Sequence, residues 1–117
     1  MNTVYGIIYV KLFVKEAPTN CNNFLRYIDE HRCKDFHFYR TVTMSNQPIR
    51  NIKIKVIQSG LGFEKHPQKL PPILHEITNA TGIKHMNRTI SMAKIEPRSA
   101  NSEIFICIND QLELNYG

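Results

Sequence analysis

The hydrophobic pattern of this chain consists of short apolar runs separated by polar, turn-rich segments, which is typical of β-strands. Two such runs lie close together: Thr89–Ala93 is β-branched at its start and small at its end, and Ile104–Ile108 is uncharged. Two apolar strands joined by a polar loop need a sheet or barrel to cover them. We expect this pair to be the centre of the fold, with Ser91, Ala93 and Phe105 lining a shallow apolar pocket.

The N-terminal part contains a predicted hairpin followed by a helix. Thr3–Val14 is rich in Val, Ile, Tyr and Phe, and Gly6 interrupts it, which predicts a tight turn between two short strands. Imperfect alternation over Ile8–Phe13 favours a strand there. From Pro18 to Glu30 the apolar residues fall on one helical face, and proline suits a first helical turn. The pattern therefore predicts a helix over Pro18–Glu30.

Two further strands are predicted from alternation. Phe36–Thr43 alternates aromatic and polar residues, which places Phe38 and Arg40 on one face and Tyr39 on the other. Ile52–Gln58 alternates in the same way, with its lysines facing away from its apolar residues.

The remaining segments give weaker signals. Glu64–Pro72 and Asn79–Asn87 are predicted loops, and Ile73–Glu76 is a short strand or a turn. The pattern predicts six or seven strands and one helix, which favours a barrel or sandwich over a layered α/β fold.

Composition narrows the function classes. At 117 residues the chain is one domain at most, and its net charge of +5 includes no block of five like charges, so no nucleic-acid-binding tail is indicated. Three cysteines without CxxC spacing argue against a disulfide framework and indicate a reducing, cytoplasmic setting. No signal peptide or bilayer-spanning run is visible, so neither a nucleic-acid nor a membrane partner is expected. The oligomeric state stays open.

The chemistry-bearing residues do not form a familiar hydrolytic or metal pattern. Five histidines are present, but none pairs at helical ligand spacing or with a cysteine, so no metal or cofactor is expected. No Ser-His-Asp order or phosphate-binding loop stands out. Cys33 and Cys107 are expected to be inert thiols.

A series of motifs in order resembles the cyclophilins, the peptidyl-prolyl cis-trans isomerases, and most closely the small bacterial kind. The motifs that carry the resemblance are Ala17-Pro18, Asn23-Phe24-Leu25, Phe38-Tyr39-Arg40, Val56-Ile57-Gln58-Ser59-Gly60, His75-Glu76, Thr89-Ile90-Ser91-Met92-Ala93, Ser102-Glu103-Ile104-Phe105-Ile106-Cys107, Asn109-Asp110-Gln111 and Leu114-Asn115-Tyr116-Gly117. The resemblance implies an isomerase (rotamase) that acts on proline-containing peptides and unfolded chains and assists protein folding.

The same resemblance implies the fold class: a mainly β, closed antiparallel barrel of eight strands with a capping helix at each end. A complete member continues past the position of Gly117 with the last barrel strands, the second capping helix and an active-site histidine. The domain at 1–117 is therefore expected to be C-terminally truncated and its barrel incomplete.

The resemblance also implies the site. Arg40 would be the central catalytic group, donating to the prolyl nitrogen, and Gln58 would hydrogen-bond the substrate backbone. Phe105 would form the floor of the proline pocket. The other substrate-binding positions would be Phe38, Val56, Ala93 and Leu114. Without the family, Arg40 is a surface arginine and Phe105 a core residue.

Several positions depart from the family pattern, and three functions stay open. The departures are Lys55, Ser59, Arg88, Ile104 and Glu113, of which Arg88 replaces a glycine and implies a different turn. The first hypothesis is an active isomerase, and the second is a binding module that recognises X–Pro segments with little turnover. The third is a truncated remnant that does not fold stably alone, because an incomplete barrel exposes strand edges.

Overall fold

The computed structural model describes residues 1–43, 45, 54–62, 64–74, 76–93 and 99–115. Its centre is a four-stranded antiparallel sheet in the order β3-β4-β6-β5. These strands are β3 (His37–Val42), β4 (Val56–Gly60), β5 (Ile90–Met92) and β6 (Ile104–Cys107). The two apolar runs that the sequence placed at the centre of the fold are thus confirmed as neighbouring strands.

The register of this sheet separates two faces. Phe105 lies opposite Gln58 on β4 and opposite Ser91 on β5, whereas Ile104 lies opposite Ser59 and Met92. Because directly opposed residues in antiparallel strands point to the same side, Phe105 and Gln58 share one face, which we call the polar face. Ile104 points to the other, which we call the helix face.

The predicted N-terminal hairpin is confirmed, but the strand predicted after it is wrong. β1 (Asn2–Thr3) pairs with β2 (Gly6–Ile7), and Gly6 has a φ of 135° that a larger residue rarely adopts. Ile8–Phe13 has no regular structure. Ile8 exchanges two backbone hydrogen bonds of 2.7 Å with Met1 at the end of the hairpin, but beyond it no described strand pairs with this segment, and a strand exists only when a partner completes its hydrogen bonds.

The predicted helix is confirmed as α1 (Pro18–Asp29), with Pro18 in its first turn. Its residues Cys21 and Phe24 lie across a cavity of about 320 Å³ from Ile90, Met92 and Ile104. The helix and the helix face of the sheet therefore line the same cavity and do not pack closely against each other.

One buried tyrosine fixes α1 to two distant loops. Tyr27 is 1% exposed, and its hydroxyl accepts the backbone N–H of Leu70 at 2.9 Å and donates to the side chain of Asn101. Asn101 in turn donates to the Leu70 carbonyl at 2.7 Å, and Asn23 of the helix donates to the Asn101 carbonyl at 2.8 Å. The helix is thereby held by polar contacts that are satisfied within the protein.

The weaker predictions have mixed outcomes. A one-turn helix, α2 (Thr78–Thr81), occupies part of the predicted Asn79–Asn87 loop and ends at Gly82, whose φ is 73°. Ile73 forms an isolated bridge with Ala100. β4 begins only at Val56, and residues 52–53 of the predicted strand lie outside the described residues.

The mainly β fold class is confirmed, with α1 as its capping helix. Among the described residues the four-stranded sheet stays open and does not close into a barrel. Within the same residues, no helix is long and apolar enough to cross a membrane.

Candidate functional site

A β-bulge in β3 places both Tyr39 and Arg40 next to Gln58 of β4. Phe38 lies opposite Ser59 and Arg40 lies opposite Gln58, so that Tyr39 is an extra residue in the ladder. A bulge breaks the two-residue alternation of a strand. The prediction that Phe38 and Arg40 share a face opposite Tyr39 is therefore wrong. The register takes Phe38 to the helix face, away from the other predicted site residues.

Four side chains form a continuous hydrogen-bonded chain at the bulge. The Arg40 Nη1 group donates to Gln58 Oε1 at 3.3 Å, and Gln58 Nε2 donates to the Tyr39 hydroxyl at 2.9 Å. The Tyr39 hydroxyl donates to Glu103 Oε1 at 2.5 Å. We call these four residues the Arg40–Glu103 chain. Tyr39 and Glu103 are functional candidates that the sequence analysis did not select.

The carboxylate end of this chain lies in a closely built pocket. Glu103 is 3% exposed and Gln58 is 4% exposed, and the Ser102 hydroxyl donates to Glu103 Oε2 at 3.0 Å. A Cβ atom on Gly60 would lie 1.7 Å from Glu103 Oε2, so only glycine leaves room for the carboxylate. Burial and the hydrogen bond to Glu103 raise the pKa of Tyr39 above its usual range, which keeps its hydroxyl protonated.

Phe105 lies beside this chain on the polar face and is supported by a histidine. Its ring stacks on the His85 ring with centroids 5.9 Å apart and planes inclined by 12°. Asn115 Oδ1 accepts the backbone N–H of His85 at 2.8 Å and lies 2.9 Å from Nδ1. Nδ1 therefore carries a hydrogen, and Nε2 lies 3.1 Å from the Ser91 hydroxyl oxygen, within hydrogen-bond distance. His85 is 9% exposed, and its ring supports the Phe105 ring through this stacking contact.

The remaining predicted site residues lie at the borders of this group. Val56 is buried opposite Cys107 and Val42 on the polar face. Ala93 follows β5 and donates its N–H to the Glu103 carbonyl at 2.9 Å. Leu114 is half-buried in a 3-10 turn, Leu112–Leu114, next to the Asn115 that holds His85. The sheet thus brings Arg40, Gln58, Val56 and Phe105 to one face and sets Ala93 and Leu114 near its edge.

The structure shows the surroundings of residues that depart from the family pattern. Arg88 has a φ of 70°, the left-handed conformation that glycine adopts most easily. Ile104 is buried and lines the cavity against α1, while Ser59 is buried and Glu113 is exposed. The turn before β5 therefore holds Arg88 in a conformation that a glycine would adopt without strain.

The other groups considered for chemistry were metal ligands and cysteine thiols. The described residues contain no group of three His, Cys, Asp or Glu side chains placed to hold a metal ion. Cys21, Cys33 and Cys107 are free thiols, and burial raises the pKa of Cys107 to about 11. A thiol with so high a pKa is a poor nucleophile near neutral pH, as the sequence predicted. His75 lies outside the described residues.

Comparison with known proteins adds two bacterial relatives. The chain is 32% identical over 120 residues to peptidyl-prolyl cis-trans isomerase cyp18 of Streptomyces antibioticus, which covers 99% of this chain and 64% of the relative. It is 32% identical over 119 residues to peptidyl-prolyl cis-trans isomerase B of Escherichia coli strain K12, covering 98% of this chain and 65% of the relative. The chain thus spans slightly less than two thirds of the length of these curated relatives.

The chain was also compared with sequence models of whole protein families. A sequence model of the family described as "Cyclophilin type peptidyl-prolyl cis-trans isomerase/CLD" matches residues 1–117. This protein belongs to the cyclophilin-type peptidyl-prolyl cis-trans isomerase family.

Proposed function

We propose that this protein is a peptidyl-prolyl cis-trans isomerase that turns X–Pro peptide bonds on the polar face of its sheet. The observation that carries the proposal is the position of Arg40 and Phe105 on the same face, on either side of Gln58. Isomerisation of a prolyl bond requires a cationic hydrogen-bond donor for the nitrogen and an apolar surface for the proline ring. Arg40 and Phe105 supply these two groups, and the Gln58 side chain lies between them.

The chemistry follows from the nature of the bond. Rotation about a peptide C–N bond has a barrier of about 18–20 kcal/mol because the bond has partial double-bond character. A donor aimed at the prolyl nitrogen stabilises the twisted state, in which the nitrogen is pyramidal and its lone pair is free. Arg40 supplies that donor, because its guanidinium is always charged and has several N–H groups, of which one binds Gln58.

The neighbouring residues hold the substrate. Phe105 forms the floor under the proline ring, with His85 stacked behind it. Gln58 binds the substrate backbone beside Arg40. Val56, Ala93 and Leu114 form the apolar borders, while Phe38 is left out because its register takes it to the other face.

The substrates that fit this site are extended, proline-containing segments of unfolded chains. Such a segment can lie along the exposed side of β3, where Arg40 is accessible. We place the protein in the cytoplasm, a setting that its three free cysteines favour.

A protease-coupled isomerisation assay on a short X–Pro peptide tests the proposal. We expect wild type to exceed the uncatalysed rate clearly and Arg40→Ala to lose about a hundredfold in kcat/KM, the usual cost of removing a preorganised donor. The matched control is Arg26→Ala on α1, which removes an exposed arginine in a surface ion pair and should leave the rate unchanged. Folded wild-type protein with no rate above background would overturn the isomerase proposal and leave peptide binding alone.

A further inference from the structure

The direction of every hydrogen bond in the Arg40–Glu103 chain is set from its carboxylate end. An ionised carboxylate only accepts hydrogen bonds, so the Tyr39 hydroxyl must donate its one hydrogen to Glu103. The Tyr39 oxygen can then only accept from Gln58. Gln58 must present its NH₂ group to Tyr39 and its carbonyl oxygen to Arg40.

This direction matters because a glutamine amide can turn around. If the amide of Gln58 were reversed, its NH₂ group would face the Arg40 guanidinium, and two donors would oppose each other. Arg40 would lose its 3.3 Å contact to Gln58 Oε1. A side chain that excludes the reversed amide therefore controls the geometry of Arg40 without touching it.

We propose that Glu103 and Tyr39 are positioning residues, which fix the amide of Gln58 so that its oxygen holds Arg40 in place. Their effect on catalysis rests on the proposed isomerase function, whereas their effect on Gln58 does not.

Three features of the fold are built around the carboxylate. The bulge places Tyr39 and Arg40 together opposite Gln58. Gly60 leaves the space that Glu103 Oε2 occupies, and the Ser102 hydroxyl donates to that same oxygen. Both carboxylate oxygens therefore have a donor, which is what a buried charge needs.

Two variants separate this role from general packing. Tyr39→Phe keeps the ring but removes both links of the hydroxyl. Glu103→Gln keeps the shape but replaces an acceptor-only group with an amide that permits either direction of the chain. Tyr5→Phe is the matched control, because Tyr5 is 98% exposed at the N-terminal hairpin.

The first readout is the side-chain amide signal of Gln58 in ¹H–¹⁵N NMR spectra, identified by its loss in Gln58→Met. We expect this signal to move in Tyr39→Phe and in Glu103→Gln and to stay in place in Tyr5→Phe. The second readout is isomerisation of the X–Pro peptide. We expect kcat/KM to fall about tenfold in Tyr39→Phe, the scale of one lost hydrogen bond to a charged group, and less in Glu103→Gln, mainly through kcat.

Each result decides the proposal. A wild-type rate that is unchanged in Tyr39→Phe would overturn it, as would a Gln58 signal that neither variant moves. If wild type shows no isomerisation, the proposed function fails, and the NMR signal alone decides the positioning role. Thermal unfolding is measured for every variant, and Glu103→Gln carries the test if Tyr39→Phe does not fold.

Discussion

Arg88 shows how a single residue can keep a turn that its chemistry disfavours. Its φ of 70° lies in the left-handed region, which costs most L-residues roughly 1–2 kcal/mol. Its N–H nevertheless donates to the Cys107 carbonyl at 2.8 Å, which ties the turn to the end of β6. The contact holds the strained conformation in place at the start of β5.

We expect Arg88→Gly to raise the free energy of unfolding by about 1 kcal/mol, because glycine adopts this conformation without strain but loses more chain entropy on folding. Urea titration measures the change. Lys84→Gly in the same segment is the control, since its φ is not positive, and it should destabilise the protein. Equal effects of the two variants would contradict the strain argument.

At the same scale, the sequence pointed to only part of the candidate site. Arg40, Gln58 and Phe105 could be selected because they stand in recognisable motifs. Tyr39 and Glu103 stand in the same motifs but were not selected, because their contact joins residues far apart in sequence and depends on one bulge. His85 lies outside the motifs, and its stacking on Phe105 is visible only in the fold. An alternating pattern contains no sign of an extra residue, so it assigned Tyr39 and Phe38 to the wrong faces.

Among the elements, α1 is the one whose position rests most on polar contacts. The Tyr27 hydroxyl satisfies the N–H of Leu70 inside the protein, and Asn101 binds both the same hydroxyl and the Leu70 carbonyl. Removing the hydroxyl alone would leave a buried donor without a partner.

Tyr27→Phe should therefore lower the free energy of unfolding by about 2 kcal/mol, while the helix content measured by far-UV circular dichroism stays the same. Chemical unfolding gives the difference, and Tyr5→Phe, an exposed tyrosine, should change it by far less. A wild-type value in Tyr27→Phe would mean that the hydroxyl contributes nothing net.

The elements differ in how far the pattern could predict them. α1 was found because its apolar residues repeat at the helical period, and β5 and β6 because each is a short apolar run bounded by polar residues. α2 has only four residues and is too short to show a period. Ile8–Phe13 has a strand-like pattern but no described strand beside it, and pairing is a property of two segments.

At the scale of the whole molecule, burial keeps several cysteine thiols and a tyrosine hydroxyl protonated to a higher pH than in the unfolded chain. Burial raises the pKa of Cys107 from 9.0 to about 11 and also raises the pKa values of Cys21, Cys33 and Tyr27. A group whose pKa is higher in the folded state than in the unfolded state favours folding until the unfolded chain begins to ionise. Stability is then lost as the pH rises from about 9 towards 11.

We expect the free energy of unfolding to be constant near neutral pH and to fall above pH 9, with Cys107 alone accounting for about 2 kcal/mol by pH 11. Urea midpoints measured under reducing conditions across this range give the profile. Cys107→Ala should flatten it, relative to its own value at pH 7. A profile equally steep with and without this thiol would show that other groups cause the loss.

The anchoring of α1 also has a consequence for the order of events during synthesis. The hydroxyl of Tyr27 meets partners 43 and 74 residues further along the chain. During synthesis the helix emerges from the ribosome before either partner does, and closing such long loops is slow. Until residue 101 emerges, the hydrogen bonds that join Tyr27 and Asn23 of the helix to Asn101 cannot form, so the helix reaches its final position only after most of the chain has been made.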